Sequence, residues 1–78
     1  MEIKNDLKSY IIERFTGKTS KLFLENISAV IDEASYDKES LIAAADKTSK
    51  MVGLFVDKSL SKEVFESLKI KIETGFRT

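Results

Sequence analysis

Apolar residues recur at three- and four-residue steps along four successive stretches of this 78-residue chain, and no proline interrupts them. That spacing turns one side of a helix toward a core. The first stripe is Ile3, Leu7, Tyr10, Ile11 and Phe15, which fall on one face roughly 140° wide at helical pitch. Asn5 or Asp6 can cap its start unless the helix opens earlier. Gly17 suits the left-handed residue that closes a helix. The second stripe is Phe23, Leu24, Ile27, Val30, Ile31 and Ala34, with Thr19 or Ser20 as cap. Asp32 and Glu33 oppose the dipole late in this helix, so the spacing predicts an end near Ser35-Tyr36.

The third stripe is the widest: Leu41, Ile42, Ala44, Ala45, Thr48, Met51, Val52, Phe55 and Val56, opened by Asp37 as N-cap. An arc of about half the cylinder predicts neighbours on two sides. Gly53 weakens the helix locally, and marks either a close crossing or early fraying. A strand over residues 52–56 is the alternative, but it would lack a pairing partner. Ser59 or Ser61 is expected to cap the last stripe, Val64, Phe65, Leu68 and Ile72, with Gly75 as its stop and Phe76 folding back over the end. Residues 68–73 alternate as a strand would, yet they continue a helical run and are read as helix. The expected fold is therefore all-α, a compact bundle of four short amphipathic helices in a single domain over residues 1–78.

Composition narrows the function. The chain has no His and no Cys, which removes the commonest general base, the thiolate nucleophile, the disulfide and the usual zinc ligands. Lys+Arg and Asp+Glu are both 13. That balance argues against a dedicated nucleic-acid binder, which carries a basic excess, and gives little resistance to self-association. The first residues are charged, unlike a signal peptide. The longest apolar runs, residues 41–45 and 52–56, fall far short of the ~20 residues of a membrane span. A cytoplasmic location is the expectation.

Three motif-like strings carry little chemistry. Gly17-Lys18-Thr19 copies the tail of a phosphate-binding loop, but Ile12 stands where the first glycine belongs. Asp57, Ser59 and Ser61 sit at the first ligand positions of a calcium loop, yet Lys62 replaces its glycine and Leu68 its bidentate glutamate. The carboxylate pairs Asp32-Glu33, Asp37/Glu39 and Glu63/Glu66 lie off the apolar stripes, which is the pattern of a solvated face and not of an acid–base pair. Tyr10 reads as a packing residue and Tyr36 as partly exposed. No catalytic residue, metal ligand, cofactor or small-molecule substrate is expected, and the chain is read as non-enzymatic.

Four large apolar residues miss their own stripes: Ile12, about 60° beyond Phe15, then Leu22, Leu54 and Ile70. Together they are the candidate interaction surface, for another protein or for a second copy in a homodimer. A second reading uses the C-terminal segment, which holds five basic and three acidic residues from Lys58 onward. In it Lys62, Lys69, Lys71 and Arg77 form a weak basic patch, and the last two helices act as a small nucleic-acid-binding regulator. A single arginine there is a poor endowment for reading guanine.

The stretch Leu7-Lys8-Ser9-Tyr10-Ile11-Ile12-Glu13-Arg14-Phe15-Thr16-Gly17-Lys18-Thr19-Ser20-Lys21-Leu22 closes one helix at a glycine and opens another after small residues. In this it resembles the small helical domains appended to bacterial kinases, forkhead-associated proteins and response regulators. Those domains follow the glycine with proline, where this chain has Lys18. The Ser61-to-Leu68 helix would match their closing helix, so the resemblance covers most of the chain. It implies an accessory module of bacterial signalling and carries over no catalytic residue.

Overall fold

A computed structural model describes residues 2–77. It contains four α-helices and, among the described residues, no strand: α1 (Ile3–Phe15), α2 (Lys21–Glu33), α3 (Lys38–Phe55) and α4 (Ser61–Gly75). A single 3-10 turn, Lys58–Leu60, leads into α4. Residues 52–55 and 68–73 are helical, so both strand alternatives fall away.

Local chemistry accounts for most boundaries. The Ser20 hydroxyl accepts from the Phe23 amide at 3.1 Å and starts α2. The Asp37 carboxylate accepts from the Ser40 amide at 3.0 Å and starts α3. Gly17, at φ 82°, supplies the left-handed residue between α1 and α2. The other helix ends are set differently. α1 takes the earlier start, opening at Ile3 without a side-chain cap. Neither Ser59 nor Ser61 caps α4. Asp57 caps the 3-10 turn, accepting from the Ser59 amide at 2.9 Å, and α4 continues from that turn. Phe76, expected to fold back over the end of α4, is 43% exposed.

Cross-helix contacts fix the topology. Lys8 pairs with Asp32 at 2.8 Å, so the start of α1 lies beside the end of α2. The Phe23 and Phe55 rings, 5.9 Å apart, bring the start of α2 to the end of α3. Lys38 approaches Glu73 at 4.0 Å, and Arg14 pairs with Glu63 at 2.8 Å. Each helix thus runs antiparallel to the next, and α4 closes against α1. Among the described residues the diagonal pairs α1/α3 and α2/α4 do not pack on each other, so the helices form a four-cornered ring.

Leu7, Ile11, Phe15, Ile27, Ile31, Leu41, Ala45, Val52, Val64, Leu68 and Ile72 fill the centre. Leu60, carried by the 3-10 turn, Phe65 and Val56 pack against them from the side of the bundle where α3 ends. The small buried residues of α3 (Ala45, Thr48 and Ser49) let α4 pack along it more extensively than any other pair. Gly53 belongs to this seam. A Cβ there would come within 3.1 Å of the Ser61 Cβ, so the glycine marks a close crossing and not a fraying end. Ser61 strengthens the seam by donating its hydroxyl to the Ser49 carbonyl at 2.9 Å. Thr48 is fully buried with an unpartnered hydroxyl oxygen, a local cost of about 1–3 kcal/mol.

Candidate interaction surfaces

A ring of four helices has four outer corners, and each of the four off-stripe residues lines a different one. Ile12 lies in the α1/α2 groove with Leu24 and Ala29. Leu22 lies in the α2/α3 groove, Leu54 in the α3/α4 groove, and Ile70 with Ile3 in the α4/α1 groove. All four are exposed, at 43%, 65%, 80% and 63%. The ring disperses them, so they do not meet as one patch.

Two corners share the last turn of α3. There the third stripe departs from expectation: Phe55, placed in the core by its spacing, is 71% exposed. The reason is length. α3 has 18 residues against 13 in α2, so its final turn has only the beginning of α2 beside it, and Val56 turns inward in place of Phe55. Leu54 and Phe55 are consecutive, about 100° apart on the helix, and therefore look into different grooves.

The α2/α3 groove is lined by Ser20, Leu22, Phe23, Asn26, Met51 and Phe55. None of these side chains is charged. The α3/α4 groove, about 680 Å³, is lined by Gly53, Leu54, Phe65, Ser49 and Ser61, with Lys50, Lys58, Lys62 and Asp46 around it. Lys50 is paired with Asp46 at 2.9 Å. Lys58 and Lys62 form no ion pair with a described residue.

The basic residues of the C-terminal segment are divided. Lys62 faces the α3/α4 groove, whereas Lys71 lies on the α1 side, 5.6 Å from the centre of the Tyr10 ring. Tyr10 is half-buried as expected, and its hydroxyl accepts from Arg14 at 2.9 Å. Hydrogen bonding to Glu63 holds the Arg14 guanidinium further above its ordinary pKa.

The carboxylate pairs are all exposed. Asp37 is pushed below the usual carboxylate range by the backbone N–H and the hydroxyl of Ser40. Asp57 is pushed down in the same way by Ser59. Both are capping groups, shifted opposite to what a proton donor at neutral pH requires. Tyr36, 56% exposed, donates its hydroxyl to the Glu2 carboxylate, and that bond raises its pKa. Among the described residues no three acidic side chains converge as a metal site would need.

One buried group was not read from the sequence. Lys4 is 5% exposed. Its ammonium donates to the Asp32 carbonyl at 2.8 Å and to the Ala34 carbonyl, and lies 4.1 Å from the centre of the Tyr36 ring. A cation carried by α1 thus satisfies the carbonyl end of α2, where α2 has no basic residue of its own. The signal was present: Lys4 stands three residues before Leu7, on the buried stripe.

No family model, no curated protein and no solved structure matches the chain, so the resemblance to appended signalling domains gains no support from them. Among the described residues no helix is long and apolar enough to cross a membrane.

Proposed function

We propose that this chain is a non-enzymatic, cytoplasmic interaction module that self-associates through its α2/α3 corner. The observation that carries the reading is the pairing of Leu22 and Phe55, 65% and 71% exposed, across a groove lined by no charged side chain. In a two-fold dimer a patch meets its own copy, so any charge near its centre would face itself. The groove between Leu22 and Phe55 is lined by apolar and neutral polar groups only, the charged Glu33 and Lys47 lying further along the same seam, and the zero net charge adds no long-range repulsion. The exposed carboxylates and their capping roles support the non-enzymatic part of the reading. The accessory-module reading drawn from the sequence fits such a role.

The dimer should be weak. A standard interface takes about 800 Å² from each partner, roughly a sixth of the 4995 Å² surface. The six side chains of this groove supply only the centre of such an area. Sedimentation equilibrium from about 10 μM to about 1 mM should show mass rising above the 8.8 kDa monomer, within the range expected of a transient contact. Phe55→Glu should hold the chain monomeric with its helicity intact. A wild-type chain that stays monomeric across that range would end the proposal.

A further inference from the structure

We infer that the α3/α4 corner binds an acidic amphipathic helix of a partner protein, a role that rests on the interaction-module reading but uses a separate surface. The groove has an apolar floor and a basic rim. Gly53 leaves its centre open to the backbone, Leu54 and Phe65 form its apolar walls, and Lys50, Lys58 and Lys62 surround it with Asp46 as the single acid. With Lys50 engaged by Asp46, Lys58 and Lys62 remain to meet carboxylates from outside. In a chain with equal numbers of acids and bases, this local excess gives the groove a sign of its own.

The same excess rules against a second copy of this corner as occupant, because lysines would face lysines. The apolar lining, in turn, favours a peptide over nucleic acid. The walls are an exposed leucine and a half-buried phenylalanine in an open trough between antiparallel helices, and no arginine lines it. Such a trough accepts a third helix, with apolar anchors at three- and four-residue steps in the groove and acids along its flanks. From Asp46 to Leu54, α3 offers about two turns of contact, enough for two or three anchors.

The test uses fluorescein-labelled, roughly three-turn synthetic helices with leucine anchors at i,i+3, i,i+4 or i,i+7 and glutamate flanks, alongside copies with lysine flanks. Anisotropy titrations against the full chain should show saturable binding of an acidic peptide in the range of about 10–100 μM. The lysine copies should bind at least ~10-fold more weakly, and raising salt from about 50 mM to about 500 mM should weaken the acidic peptide several-fold. Lys58→Glu with Lys62→Glu should reduce that binding at least ~10-fold and abolish its weakening by salt, because the rim then repels the peptide's acids. Amide shifts on binding should centre on residues 49–65. No saturable binding of any acidic peptide at about 1 mM, equal binding of the lysine copies, or preferential binding of a single-stranded oligonucleotide overturns the inference. Sedimentation of the Lys58→Glu, Lys62→Glu chain at about 500 mM salt, where long-range repulsion is screened, separates the two proposals: its self-association should match wild type, since neither lysine lines the α2/α3 groove.

Discussion

Leu54 and Phe55 stand side by side in the last turn of α3, yet they look into grooves of opposite character. Phe55 faces a corner with no charged side chain and has the Phe23 ring 5.9 Å away. Leu54 faces a corner rimmed by three lysines. Both corners meet at the last turn of α3. What separates them is the helix on the far side. The start of α2 contributes Ser20, Leu22 and Asn26, all uncharged; the 3-10 turn contributes Lys58 and the first turn of α4 contributes Lys62. A helix end therefore becomes a self-complementary surface or a charge-selective one according to its neighbour's polarity.

That contrast can be broken in stages. The largest effect should come from Thr48→Val, behind both corners. It removes a buried hydroxyl that has no partner and should raise unfolding free energy by about 1–3 kcal/mol in denaturant titrations. Self-association and peptide binding should both stay unchanged, because the site touches neither surface. If either function moves with it, the corners are not independent of core stability.

Gly53→Ala should act on one corner alone. Its Cβ would sit 3.1 Å from the Ser61 Cβ, so the first turn of α4 must shift and the Ser61–Ser49 hydrogen bond must lengthen. Better helix propensity, worth up to about 1 kcal/mol, offsets the crowding in stability. Acidic-peptide affinity should fall a few-fold while sedimentation of the dimer does not change. Equal loss in both assays would show that the seam controls the whole end of the bundle.

The smallest effect is a difference in acid sensitivity. The α3/α4 corner hangs on the Asp57 cap, and the α2/α3 corner on the Ser20 cap, which does not titrate. Because folding lowers the pKa of Asp57, its stabilising contribution is full above the unfolded value of about 4 and is lost as pH falls through the folded value. Amide exchange at Ser59 and Leu60 should therefore accelerate as pH falls below about 4, once corrected for intrinsic rates. The Phe23 amide, bonded to Ser20, should show no matching step. A matching step there would mean that global acid unfolding dominates.

The helices were legible because their signals are local. Ser20 and Asp37 cap within three residues, Gly17 needs only its own φ, and the stripes follow from spacing. What escaped depends on contacts between distant residues. Phe55 continues its stripe faultlessly, but whether a stripe residue is covered depends on the length of another helix. The 3-10 turn captured Asp57 and left α4 without the expected serine cap, because Ser61 is drawn to the Ser49 carbonyl across the seam. Ile12, Leu22, Leu54 and Ile70 were recognisable as outward-facing one by one. Their separation into four corners is a property of the ring, which no single helix encodes.

Lys4 has a consequence for how the molecule opens. Its ammonium joins the first turn of α1 to the last carbonyls of α2, residues about thirty positions apart in the chain. Fraying of one end thereby exposes the other, so two termini that would ordinarily loosen separately behave as one cooperative unit. Native-state hydrogen exchange would register them as a single opening, with the lysine acting as the latch.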